Sequence, residues 1–227
     1  LEHYLSTNHI LMIGMIVTFI LTFFLLEHPF SFLPSDQGRA FAVNGSLSKG
    51  KLRGVGFIFV LCFLISSVLF LPIDVEYVIY AILLFAMMIS GYLDDASKTP
   101  WNEYKKGLID LVISVVAVLT YMNFNSTTIC FGADEIVIPK ALFLILGVIL
   151  IWVSVNVTNC TDGVDGLCAS LCSVTLLAFG VLFAPILQKY AMANFLFLSV
   201  LFAYLYFNSS PSSMPVSYTH LTLPTIA

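Results

Sequence analysis

Two long apolar runs of the chain meet at a polar stretch, Asn156-Val157-Thr158-Asn159-Cys160-Thr161-Asp162-Gly163-Val164-Asp165-Gly166. Polar groups at a membrane edge are costly unless they find a partner. At helical spacing Asn156 and Asn159 share a face, and so do Asp162 and Asp165. The two glycines allow a ligand to approach the backbone closely. The stretch therefore predicts a site for a polar ligand that carries a metal.

The composition on both sides of this stretch indicates a membrane protein. Of 227 residues, 59% are hydrophobic and 10% are charged, whereas soluble domains carry roughly 25% charged residues. The apolar runs are about 17 to 20 residues long, which suits helices that cross about 30 Å of hydrocarbon. They do not alternate as barrel strands would. We therefore expect an all-α fold, a polytopic transmembrane helix bundle.

Charge and cysteine usage exclude several other classes of protein. The net charge is -4 and the nine basic residues are scattered along the chain, so we expect no nucleic-acid partner. The five cysteines show no CxxC spacing and lie mostly in apolar runs. This pattern argues against a disulfide framework or a zinc site.

The distribution of basic residues predicts how the bundle is oriented. Seven of the nine fall in the segments 27–54, 94–107 and 158–166, which we therefore place on the cytoplasmic side, with the N-terminus outside. The segment 123–140 becomes an outer loop. We predict seven helices at about 10–26, 55–71, 77–93, 108–121, 141–157, 167–187 and 192–207.

A second polar constellation, Asp94-Asp95-Ala96-Ser97-Lys98, ends the third predicted helix on the same side. Adjacent helical residues point about 100° apart, so the two carboxylates have different roles. One can face a metal or a substrate phosphate, while the other orients Lys98 or Lys106. The competing interpretation is a solvated acidic helix end, and Lys106 also has Asp110 four residues away as an alternative partner.

Together the two motifs resemble those of the polyprenyl-phosphate N-acetylhexosamine-1-phosphate transferases. The matching patterns are Asp94-Asp95-x-x-Lys98 and Asn156-x-x-Asn159-x-Thr161-Asp162-Gly163-x-Asp165-Gly166. The Thr161-Asp162-Gly163 motif is typical of the branch that uses UDP-MurNAc-pentapeptide in bacterial peptidoglycan synthesis. The resemblance implies transfer of phospho-MurNAc-pentapeptide to undecaprenyl phosphate, with release of UMP. It also implies a Mg²⁺ cofactor, a bacterial plasma membrane location with the site on the cytoplasmic face, and a homodimer.

The resemblance also assigns a role to each matching residue. It implies that Asp94 positions or deprotonates the lipid phosphate and that Asp95 organises the site. Among the remaining residues, Asn159 would be a metal ligand, Asp162 would face the metal or the nucleoside-sugar as a catalytic residue, Lys98 and Asp165 would hold the uracil, Lys106 would hold phosphate, and Asn156 would bind substrate.

The chain also departs from the family pattern. The family has ten transmembrane helices, and a later Gly-Asp segment and a His-rich loop complete its active site; neither occurs here. We therefore expect residues 1–214 to form one incomplete transferase domain, residues 215–227 to be an artefactual tail, and the fragment to be inactive by itself. The alternative functions are a UDP-GlcNAc polyprenyl-phosphate GlcNAc-1-phosphate transferase and, in another class, an ion-coupled transporter.

Overall fold

The computed structural model describes residues 6–28, 30–34, 54–97, 101–131, 134–161 and 165–209. Within these residues the chain forms seven α-helices and one two-stranded sheet, which confirms the predicted all-α bundle. The elements are α1 (Thr7–Glu27), α2 (Gly56–Phe70), α3 (Val75–Ala96), α4 (Glu103–Phe124), β1 (Thr128–Phe131), β2 (Asp134–Val137), α5 (Lys140–Thr161), α6 (Leu167–Phe183) and α7 (Gln188–Asn208).

Five of the helices, α1, α3, α4, α5 and α7, are long and apolar enough to cross a membrane. The other two, α2 and α6, have 15 and 17 residues. Two of the helices begin at side-chain caps, which satisfy backbone N–H groups that the first turn leaves unpaired. Asp74 accepts from the N–H of Tyr77 at the start of α3. Asn102 accepts from the N–H of Tyr104 at the start of α4. The chain is a membrane protein.

The centre of the bundle is α7, which packs against α1, α2 and α6. Half of its apolar span is buried, compared with 6% of the span of α5. Helix α1 contacts this centre through positions spaced four residues apart, which include Gly14, Thr18 and Thr22. A Cβ on Gly14 would lie 3.0 Å from Phe70 and 3.1 Å from Leu196. Small residues of this kind let membrane helices approach closely.

The structure differs from the sequence prediction in the segment between α4 and α5. This predicted outer loop contains an antiparallel hairpin in which Thr128 pairs with Val137 and Phe131 with Asp134. The backbone N–H of Ile138 also donates to the carbonyl of Thr127, which extends the pairing by one residue on each side. Four-residue strands carry too little alternation to stand out beside transmembrane runs.

Candidate functional site

The carboxylate of Asp94 joins the end of α3 to the start of α4. Its Oδ1 accepts from the backbone N–H of Trp101, and its Oδ2 accepts from Nζ of Lys106, each at 2.8 Å. The side chains of Asp94 and Lys106 are 12% and 29% exposed, so solvent screens this ion pair less than a surface pair. Asp95 follows in the last turn of α3 and is partly buried. Of the two adjacent carboxylates, Asp94 is the one that the structure shows in an ion pair with Lys106.

The side chain of Trp152 joins α5 to the start of α4. Nε1 of Trp152 donates to the carbonyl oxygen of Gly107 at 2.8 Å. One turn further along α5, Nδ2 of Asn156 donates to the carbonyl oxygen of Trp152, also at 2.8 Å. A path of contacts therefore runs from the residue that follows Lys106 to the first amide of the polar stretch.

The polar stretch itself forms the end of α5, which continues as a helix through Thr161. Asn156 is partly buried, and Asn159 is exposed three residues later on the same helix. Asp165 follows in the turn before α6 and is partly buried. The predicted site residues Lys98 and Asp162 lie outside the described residues, as does the predicted tail 215–227.

The turn that contains Asp165 is held by the end of α7. Gly166 begins α6 in the left-handed conformation, with φ +75°, and its backbone N–H donates to Oδ1 of Asn208 at 2.9 Å. The side chain of Asn208 is buried, at 1% exposure. Sequence reasoning did not identify Asn208 as a site residue. An amide ending an apolar helix is a weak signal, and its partner lies 42 residues away.

Contacts at both ends of the helix pairs place these groups at one end of the bundle. Lys106 and Asp94 join α4 to α3 at the end where α4 begins, while Asn125 and Glu76 join the same helices at the other end. The helices run antiparallel, so the end of α3, the start of α4 and the end of α5 lie on the same side. The two acidic motifs that the sequence placed on one face therefore end on one side of the bundle.

The chemistry of this end suits an anionic ligand and a hard cation. Lys106 faces Asp94, and Nζ of Lys105 lies 3.4 Å from the centre of the Trp101 ring. Asn159 offers an amide oxygen, a type of ligand that Mg²⁺ accepts. Within the described part of the chain, no three His, Cys, Asp or Glu side chains form a metal-binding group. The amide oxygen of Asn159 is therefore a suitable donor for Mg²⁺, and an ion held there would need further oxygen ligands to complete its coordination.

Comparison with known proteins identifies the family. Residues 77–214, more than half of the chain, match glycosyl transferase family 4. The chain belongs to this family. The matched residues begin in α3 and include every residue that the sequence assigned to the site.

Several proteins similar to this chain carry the name phospho-N-acetylmuramoyl-pentapeptide-transferase. The relative from Treponema pallidum (strain Nichols) is 34% identical over 189 residues, which are 81% of this chain and 52% of the relative. The relative from Dictyoglomus turgidum is 25% identical over 213 residues, 91% of this chain and 68% of the relative. The chain spans about half the length of the Treponema relative.

Proposed function

We propose that the complete gene product transfers phospho-MurNAc-pentapeptide from UDP-MurNAc-pentapeptide to undecaprenyl phosphate and releases UMP. The observation that carries the proposal is the ion pair between Asp94 and Lys106, which lies on the same side of the bundle as the end of α5. Membership of glycosyl transferase family 4 and the name of the relatives support it. The product would be the first lipid-linked intermediate of peptidoglycan synthesis.

In this proposal Lys106 and Asp94 handle phosphate. Lys106 supplies a cation for a phosphate oxygen, and Asp94 holds the ammonium in place until the substrate arrives. An incoming phosphate would compete for Lys106 and leave the Asp94 carboxylate to position the lipid phosphate. A phosphate whose second pKa is about 6 needs little help from a base at neutral pH. The main role of Asp94 is therefore to position the lipid phosphate. Asp95 would then organise the turn around them.

The end of α5 would supply the cation and nucleotide side of the site. We propose that Asn159 holds Mg²⁺, whose charge when bound offsets the repulsion between the two phosphate-bearing substrates. Asp162 would face the metal or the nucleoside-sugar, Asn156 would bind substrate, and Lys98 and Asp165 would hold the uracil. Asn208 keeps the turn at Asp165 in place through Gly166.

The proposal includes the surroundings of the protein. The excess of basic residues in the segments between helices supports a site on the cytoplasmic face of a bacterial plasma membrane. That face is where a nucleotide-linked donor is available, while the polyprenyl acceptor lies in the bilayer. We propose that the protein acts as a homodimer, which is carried by the family resemblance.

A transfer assay tests the proposed function. Membranes that contain the complete gene product should release UMP from UDP-MurNAc-pentapeptide when undecaprenyl phosphate and Mg²⁺ are added, and chelation of the metal should stop the release. Asp94→Asn and Asp162→Asn should each lower the rate about 10²- to 10³-fold, because each removes a charge that positions phosphate or metal. Glu103→Gln is the matched control, since Glu103 is an exposed acid in the first turn of α4.

Two outcomes would contradict this function. UMP release from UDP-GlcNAc but not from the pentapeptide donor would assign the GlcNAc-1-phosphate reaction instead. Ion flux into liposomes without any UMP release would indicate a transporter. Wild-type rates in both aspartate variants would refute the roles given to Asp94 and Asp162.

A further inference from the structure

The indole of Trp152 makes a specific contact with α4. Its Nε1 lies 2.8 Å from the carbonyl oxygen of Gly107, and its Cζ2 lies 3.7 Å from where a Cβ on Gly107 would be. The ring therefore lies against α4 at a residue that has no side chain. Trp152 is 36% exposed, so packing alone does not hold the ring, and the hydrogen bond from its N–H to Gly107 fixes its position.

Two further contacts between α4 and α5 lie nearer the outer end. A Cβ on Gly147 would lie 3.0 Å from Val118, and the rings of Tyr121 and Phe143 stack with their centroids 5.6 Å apart. From the Gly147 contact to the Trp152 contact, α5 advances five residues and α4 eleven. At 1.5 Å per residue, the length of α4 between the two contacts exceeds the length of α5 between them by about 9 Å. A long side chain is needed to bridge this offset.

The contact lies between the two halves of the proposed site. Gly107 directly follows Lys106, whose Nζ binds Asp94. On the α5 side, the carbonyl oxygen of Trp152 accepts from Asn156, and Asn159 lies on the next turn. Any sliding of α5 along α4 would change the distance from the phosphate-binding lysine to the amides. A misplacement of about 1 Å can cost two orders of magnitude in rate.

We infer that Trp152 is a positioning residue of the proposed transferase site, which sets the register of Asn156 and Asn159 against Lys106 by binding the carbonyl oxygen of Gly107. The inference rests on the proposed function. It assigns no contact between the indole and substrate. Its effect should appear in the rate of the chemical step rather than in substrate affinity.

The kinetic test compares variants at the two ends of the same helix pair. Trp152→Phe keeps a ring but removes the N–H donor, and Gly107→Val displaces the indole from the other side. Each should lower kcat on the order of tenfold or more, with KM for the nucleotide donor changed less than about twofold. The matched control is Phe143→Leu, which weakens packing between α4 and α5 at the outer end and should keep the wild-type kcat. Only preparations that remain monodisperse are compared.

A spectroscopic test measures the contact without activity. The chain has two tryptophans, so in a Trp101→Phe background the fluorescence comes from Trp152 alone. Adding Gly107→Val should shift its emission, while adding Phe143→Leu should not. An unchanged emission with Gly107→Val would overturn the inference because the indole would not be held at Gly107.

The outcomes also separate this inference from the proposed function. If the complete gene product without substitutions releases no UMP, the proposed function fails, and the positioning role of Trp152 fails with it. If the unaltered protein is active and Trp152→Phe has its kcat, only the role of Trp152 is overturned. Equal losses in Trp152→Phe and Phe143→Leu would show that the indole merely holds the helices together.

Discussion

At the scale of single residues, Asp94 shows why two adjacent aspartates at a helix end are not equivalent. Its two oxygens are occupied by different partners, a backbone N–H of Trp101 and the ammonium of Lys106. The bond from Trp101 joins the end of α3 to the residue before the cap of α4. Lys106 carries the charge that binds phosphate in the proposed function. Substituting Asn would keep an acceptor for Trp101 and remove the charge. This variant therefore separates the chemical role of the carboxylate from its structural one.

Gly166 allows a second test at this scale. With φ at +75°, it occupies a conformation that costs other residues roughly 1 to 2 kcal/mol, whereas the nearest atom to an added Cβ is 3.8 Å away. We expect Gly166→Ala to lower stability through backbone strain and not through a clash. Gly91→Ala is the control because Gly91 is helical with nothing within 4 Å of an added Cβ. It should be neutral or stabilise by up to about 1 kcal/mol.

The measurement for this pair is thermal unfolding in detergent. Gly166→Ala should unfold at a lower temperature than the wild type, and Gly91→Ala at the same or a higher one. Equal unfolding temperatures for both variants would show that the left-handed turn at Gly166 does not constrain the start of α6.

At the scale of elements, the helices could be predicted from sequence because each needs only a long apolar run. The structure confirms all seven and extends some of them, such as α5, which continues through Thr161. The hairpin was missed because its strands are four residues long. The contacts of Trp152 with Gly107 and of Asn208 with Gly166 join residues 45 and 42 positions apart. No local pattern encodes such pairs, so the motifs were predictable and their supports were not.

The orientation of the elements gives a prediction that can be checked by labelling. Tyr104, at the start of α4, is 86% exposed, and Asp134, in β2, is exposed in the hairpin. Single cysteines at these positions, in a background without native cysteines, should react from opposite sides of the membrane because α4 separates them. In intact cells, a cysteine at position 134 should react directly, whereas a cysteine at position 104 should react only after the membrane has been made permeable. Labelling of both from the same side would contradict the proposed orientation.

At the scale of the whole molecule, the end opposite the candidate site is joined across three helices. Asp74 forms an ion pair with Lys189, which joins the start of α3 to α7. The hydrogen bond from Lys189 lowers the pKa of the Asp74 carboxyl, so its contribution is present at neutral pH and is lost as the pH falls through that lowered pKa. Since the side chain of Asp74 is 54% exposed, solvent screens the pair and its contribution to stability is small.

The neighbouring carboxylate of Glu76 has a larger effect because it is buried, at 8% exposure. It accepts from Nδ2 of Asn125 at 2.7 Å and from the hydroxyls of Tyr80 and Tyr190 at 3.1 and 3.4 Å. These donors come from the C-cap of α4, from α3 itself and from α7. In Glu76→Ala, Nδ2 of Asn125 would keep its bond to the carbonyl oxygen of Tyr121. The part-buried hydroxyls of Tyr80 and Tyr190 would lose this acceptor, at a cost of up to about 1 to 3 kcal/mol for each one that stays unpaired.

We therefore expect Glu76→Ala to lower the unfolding temperature in detergent on the order of 5 to 10 °C. Glu76→Gln should lower it less, because its side-chain oxygen still accepts. The control is Glu135→Ala, since Glu135 is exposed in the hairpin and such surface changes stay within about 0.5 kcal/mol. If Glu76→Ala unfolds at the temperature of Glu135→Ala, the hydrogen bonds to Glu76 do not hold α3, α4 and α7 together.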